Sequence, residues 1–123
     1  MQVMVTEEIG IALIQEPYLY QGKLLGIISR YRIFTACDGN SRAAIVISDT
    51  TIDAILIMQL SDNDAVLLEI DNGQMRFYAA SIYFDYNDTI GNITIEKIVE
   101  FTKGAKLILA IDSNSRSTTW HDV

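Results

Sequence analysis

The pattern of apolar and polar residues along this chain predicts a domain built mainly from short strands. Runs rich in Ile, Val and Leu alternate with polar breaks, and they predict strands at Ile11–Gln15, 31–35, Ala43–Ile47 and 54–60. The breaks Asp62-Asn63-Asp64 and Asp71-Asn72-Gly73 predict turns, and the second is a strong hairpin signal. An open sheet with hairpin connections is therefore expected in the middle of the chain.

Residues 74–84 alternate regularly enough to sort two faces of a strand. One face carries Met75, Phe77, Ala79, Ser81 and Tyr83. A helix is predicted over 92–103, with a buried stripe of Ile95, Ile98, Val99 and Thr102. Its start can be capped by Asn92 or Thr94, and Gly104 suits the left-handed position after its end.

The two ends of the chain complete the prediction. The continuous apolar run at 107–111 predicts a strand covered on both faces. Residues 1–8 are interpreted as a short helix, and residues 17–29 as an ordered loop. We also assign Met58 and Met75 to the core because both lie in apolar stripes. The fold class predicted from these elements is α/β, a mixed sheet with helices packed on it.

Length and composition limit the possible classes. A chain of 123 residues is long enough for one domain with its own core, and no linker divides it. No apolar run approaches the roughly 18 residues that span a bilayer, and no signal peptide is visible. Cys37 is the only cysteine, which excludes a disulfide framework within one chain and points to a reducing, intracellular compartment.

The formal charge of −7 argues against a simple nucleic-acid binder. Binding phosphates takes clustered Lys and Arg, whereas the nine basic residues here are scattered, with one small cluster at Arg30-Tyr31-Arg32. Contact with DNA would therefore require a bound cation or basic surface from outside this chain.

Candidate chemistry lies at the ends of three predicted strands. Glu16 follows a buried strand and precedes Pro17, and Asp112 follows another buried strand. Ligands of open α/β sheets collect outside strand ends, so these carboxylates are expected to converge. Mg²⁺ is commonly held by one or two carboxylates together with substrate phosphate oxygens. Asn114 can donate amide hydrogens to a phosphate, and Tyr83 can offer its hydroxyl.

Each of these residues also has an ordinary structural interpretation. Asp-x-Asn after a strand is more often a turn or a helix cap, and Tyr83 alone is most simply a half-buried strand tyrosine. His121 is interpreted as solvated, and Cys37 as a thiol with no activating neighbour.

Three ordered motifs resemble the endonuclease/exonuclease/phosphatase superfamily, and in particular the apurinic-like endonuclease domains of non-LTR retrotransposons. They are Gln15-Glu16-Pro17-Tyr18, then Ser81-Ile82-Tyr83-Phe84-Asp85, then Asp112-Ser113-Asn114-Ser115-Arg116-Ser117 followed by Trp120. The fold implied is a four-layered α/β sandwich. Because no Asp-His motif of a second half follows, residues 1–123 are interpreted as an incomplete, truncated N-terminal half that also lacks the first strand.

The resemblance also implies roles and partners. Glu16 would be the metal ligand, Asp112 would orient the attacking water, and Asn114 and Tyr83 would contact the scissile phosphate. The implied cofactor is Mg²⁺, with Mn²⁺ as a substitute, and the implied partner is DNA, nicked to prime reverse transcription in the nucleus. A half-sandwich is expected to expose its inner apolar face and to require a homodimer partner or the missing half-domain.

Two further functions stay open at this point. One is a non-catalytic interaction module that keeps the fold without the chemistry. The other is a related phosphoesterase acting on a small or lipid phosphate, which the acidic charge favours over DNA.

Overall fold

Two sheets form the framework of the protein in a computed structural model that describes residues 2–6, 10–15, 32–36, 42–84, 89–113 and 118–122. The first sheet contains β1 (Gln2–Thr6), β2 (Ile11–Gln15), β3 (Arg32–Phe34) and β4 (Ala43–Ile47). The second contains β5 (Asp53–Leu56), β6 (Ala65–Asp71), β7 (Arg76–Phe84), β8 (Leu107–Ser113) and β9 (Thr118–Asp122). A 3-10 turn spans Met58–Leu60, and helix α1 spans Thr89–Phe101.

The strand order explains the position of the helix. The first sheet runs β1-β2-β4-β3 and is antiparallel, whereas the second runs β5-β6-β7-β8-β9 with β7 and β8 parallel. Parallel neighbours need a long crossover connection, and α1 provides it between β7 and β8. This arrangement brings the C-terminal ends of β7 and β8 to the same edge of the second sheet.

The two sheets pack face to face around the main core. Leu13 of β2 and Ile45 of β4 are fully buried against Leu68 of β6 and Phe77 of β7. A second cluster on the other face of the second sheet contains Leu67 and includes Ile98 of α1. The described residues therefore form three layers, sheet on sheet and helix on sheet, which confirms the α/β sandwich class.

Most of the predicted strands are confirmed. β2 and β4 have the predicted bounds, and the hairpin at Asp71-Asn72-Gly73 joins β6 to β7, with Gly73 at a φ of 91°. Gly104, after α1, has a φ of 88°, as its predicted position requires. β8 carries a continuous apolar run because one of its faces lies in the inter-sheet core and the other in the cluster with α1.

Other predictions from the sequence are wrong. Residues 2–6 form a strand instead of a helix, because they pair along their whole length with β2. The strand expected at 54–60 ends at Leu56, and a 3-10 turn replaces its second half. Helix α1 begins at Thr89, so Asn92 and Thr94 lie within it and cannot cap its start.

Burial also corrects three core assignments and one expectation about the surface. The side chains of Val99, Met58 and Met75 are exposed rather than buried. The inner face of the second sheet, expected to be open in a half-sandwich, is covered by the first sheet.

Within the described part of the chain, no helix is long and apolar enough to span a bilayer. The loop expected at 17–29 lies outside the described residues.

Candidate active site at one edge of the two sheets

Two of the four candidate residues lie side by side at the end of the parallel strand pair. In the ladder between β7 and β8, Tyr83 is the register partner of Asp112. Tyr83 is buried, more deeply than the half-buried strand position that its sequence context indicates. Asp112 lies one residue before the end of β8. This register places two of the predicted strand ends together, whereas the expected convergence of Glu16 with Asp112 stays a prediction.

The other two candidates lie outside the described residues, although the backbone leading to each of them is described. Glu16 directly follows β2, whose last residue, Gln15, pairs with Ala43 of β4. Asn114 directly follows β8. The position of either side chain relative to Tyr83 and Asp112 stays a prediction.

Arg42 connects the two sheets at this edge. It immediately precedes β4 of the first sheet, and its guanidinium reaches the second sheet, where it binds Asp64 in a two-pronged ion pair. The Nε atom donates to Oδ1 at 2.6 Å, and Nη2 donates to Oδ2 at 2.7 Å. Paired bonds of this kind fix the plane of the guanidinium as well as its position.

The same guanidinium lies over the ring of Tyr83. Its central carbon is 4.6 Å from the ring centroid, within the range of an attractive cation–π contact. The hydrogen bond with Asp64 is the main cause that raises the pKa of Arg42 above its ordinary value, against the opposing effect of burial. Arg42 is therefore a permanent cation at this edge.

The predicted turn at Asp62-Asn63-Asp64 explains why Asp64 meets Arg42. The Asp62 carboxylate accepts a bond of 2.8 Å from the Asp64 backbone N–H, which closes the turn before β6. Two backbone carbonyls of this turn also accept hydrogen bonds from Arg42 and Tyr83. The Arg42 N–H donates to the Asn63 carbonyl at 2.7 Å, and the Tyr83 N–H donates to the Asp64 carbonyl at 2.8 Å.

Sequence reasoning did not identify Arg42 or Asp64. Arg42 stands among scattered basic residues, and the run Asp62-Asn63-Asp64 predicts only a turn. The available signal is the position of Arg42 directly before the apolar run Ala43–Ile47, which places its charge at the end of a strand. The identity of its ion-pair partner depends on the packing of the two sheets, which the sequence alone does not give.

The predicted metal ligand is a carboxylate, which is the donor type that a hard cation takes. Carboxylates such as Glu16 and Asp112 supply the oxygen ligands that Mg²⁺ takes, usually together with substrate phosphate. The described side chains alone contain no group of three or more His, Cys, Asp or Glu that could hold a metal ion. A metal ligand at Glu16 stays a prediction, because Glu16 lies outside the described residues.

Comparison with known proteins supports an endonuclease-type fold. No protein-family model matches the sequence, and no curated protein matches it. Among solved structures, the chain is similar to the endonuclease domain of TRAS1, a telomere-specific non-LTR retrotransposon. The TM-score is 0.67 and the identity 29%, over 88% of this chain and 48% of that one. The chain thus spans about half the length of that structure, and it has the α/β-sandwich fold of a retrotransposon endonuclease domain, as the sequence resemblance implies.

Proposed function

We propose that this chain contributes the N-terminal part of a metal-dependent, nuclease-like domain that hydrolyses DNA phosphodiesters. The observation that supports this most directly is the register pairing of Tyr83 with Asp112 at a strand end, in a chain with an endonuclease-type fold. Arg42 adds support because it links this strand end to the start of β4, whose first residue pairs with the residue before Glu16.

Each residue has a distinct role in this proposal. Asp112 orients the attacking water and accepts its proton, since a carboxylate is a hydrogen-bond acceptor that can take up a proton. Asn114 and Tyr83 donate hydrogen bonds to the phosphate oxygens. Mg²⁺ held by Glu16, with Mn²⁺ as a substitute, would polarise a phosphoryl oxygen and offset the developing charge.

The proposal includes truncation. The chain spans 48% of the similar endonuclease domain, and we propose that further catalytic groups come from the other part of a complete domain. Metal-dependent binding of DNA is then the more direct test for this chain, and strand cleavage is the second test.

A binding experiment with matched charge variants tests the proposal. The affinity of the chain for a fluorescent DNA duplex would be measured by anisotropy, with Mg²⁺ or with a chelator. We expect binding that requires Mg²⁺ and is lost in Glu16→Gln and in Asp112→Asn. Glu96→Gln, on the exposed face of α1, removes the same charge away from the site and should bind normally. Equal binding by all four proteins, or binding without metal, would contradict the proposal.

Plasmid nicking separates a complete site from an incomplete one. Mg²⁺-dependent nicking of supercoiled DNA that disappears in Asp112→Ala would mean that the chain assembles a working site. Mg²⁺-dependent binding without nicking would assign the missing groups to another part of the domain. The absence of both would favour a non-catalytic interaction module.

A further inference from the structure

Arg42 occupies a position at the candidate site that none of the proposed catalytic roles explains. Its ion pair with Asp64 is geometrically specific, with two short bonds and both side chains only partly exposed, at 42% and 35%. Its second contact is the face of Tyr83, the residue proposed to bind phosphate. An arginine held by one neighbour and stacked on another is suited to fixing the position of the second.

The charge balance at Arg42 decides whether its guanidinium binds phosphate directly or fixes the position of Tyr83. A guanidinium that binds phosphate directly works best when its charge is not already compensated. Here Asp64 takes two of the five N–H donors and cancels the charge at close range. Direct attraction of a phosphate is therefore weakened, whereas the contact with the Tyr83 ring is preserved.

We infer that Arg42 is a positioning residue, which holds Tyr83 from the opposite sheet so that the tyrosine hydroxyl stays beside the strand end that carries Asp112. Asp64 fixes the guanidinium in turn, and its backbone carbonyl accepts the Tyr83 N–H. The phosphate-binding part of this inference rests on the proposed function. The positioning part rests only on the described contacts.

The first experiment tests positioning without DNA. Fluorotyrosine would be incorporated into the full chain, and the ¹⁹F resonance of Tyr83 would be assigned by its loss in Tyr83→Phe. We expect this resonance to shift and broaden in Arg42→Met, because the ring loses the cation above it. Arg76→Met is the matched control, since Arg76 forms ion pairs with Glu69 and Asp71 at the other end of β7. A Tyr83 resonance that is unchanged in Arg42→Met would overturn the inference.

The second experiment uses a DNA duplex with Mg²⁺, at a temperature where every variant is folded. Tyr83→Phe should weaken binding by roughly 10- to 100-fold, the usual effect of a hydrogen bond to a charged group. Arg42→Met should weaken binding in the wild-type background and have no further effect in the Tyr83→Phe background. Equal weakening in both backgrounds would overturn positioning and indicate a direct contact with phosphate.

Two more readouts separate positioning from other roles. A direct phosphate contact would lower the salt dependence of duplex binding by about one counterion when Arg42 is replaced, whereas a positioning role leaves that slope unchanged. Arg42→Lys keeps the charge but not the two-pronged pair, so it should restore binding only in part; full restoration would overturn the inference. A Tyr83 resonance that responds to Arg42→Met but not to the duplex would support positioning and contradict the proposed function.

Discussion

The packing of the two sheets on each other can be tested with one pair of matched substitutions. Ile45 lies in the middle of β4 and is fully buried between the sheets, whereas Ile55 lies in the edge strand β5 with 63% of its surface exposed. Replacing each with Ala removes the same atoms from a strand residue. The difference between the two effects therefore measures burial.

The expected magnitudes are well separated. Truncation of a buried Ile to Ala costs about 2–5 kcal/mol, because the transfer free energy is lost and a cavity remains. The exposed truncation should cost at most about 1 kcal/mol, the full range of strand propensity. Since a domain of this size is stable by only about 5–15 kcal/mol, Ile45→Ala removes a substantial share of the free energy of unfolding.

Urea denaturation followed by far-UV circular dichroism would measure both variants. We expect a clearly lower midpoint for Ile45→Ala, a midpoint near the wild-type value for Ile55→Ala, and the same slope for all three proteins. Similar losses for the two variants would refute the sheet-on-sheet packing described above. A wild-type chain without a cooperative transition would refute it as well.

Two further predictions concern the loop that joins β4 to β5 and the turns at Gly10 and Gly73. The Asp49 carboxylate accepts hydrogen bonds from the hydroxyl and the N–H of Thr51, which lower its pKa below the ordinary 3.8. This stabilisation is present above that value and is lost as the pH falls through the lower folded-state pKa. The urea midpoint of the wild type should therefore fall more steeply in acid than that of Asp49→Asn, and parallel curves would contradict this. Gly10→Ala should destabilise more than Gly73→Ala, as thermal unfolding can show. Both residues have positive φ, at 71° and 91°, but a Cβ on Gly10 would lie 2.8 Å from the Asp49 Cβ, whereas none of the described atoms lies within 4 Å at Gly73. Equal losses would mean that backbone strain alone sets both effects.

Local sequence signals are sufficient to predict the strands that are bounded by turn residues. β2 and β4 are bounded by turn residues, and the Asn72-Gly73 turn identified the hairpin between β6 and β7. Helical spacing of the few apolar residues in 1–8 predicts a helix there. Residues 2–6 form a strand because each of them pairs with a residue of β2, and such pairing is a tertiary effect that overrides weak local preference.

The candidate site likewise contains one arrangement that the sequence predicts and one that it does not. That Tyr83 and Asp112 lie side by side could be predicted, because both lie near the C-terminal ends of strands and the ends of parallel strands lie at the same edge of a sheet. The contact between Arg42 and Asp64 could not, because these residues are 22 positions apart and directly precede strands of different sheets. Only the packing of one sheet on the other brings them together.

The pairing of Arg42 with Asp64 also bears on how an acidic chain could bind DNA. The net charge is −7, and the guanidinium at the candidate site is already neutralised by a carboxylate at 2.6 Å. Long-range attraction of a phosphate backbone therefore cannot come from Arg42. In the proposed function the compensating charge has to come from the metal ion held near Glu16. For this reason Mg²⁺ dependence of duplex binding discriminates better than affinity alone, since a basic surface elsewhere on the chain would bind DNA without metal.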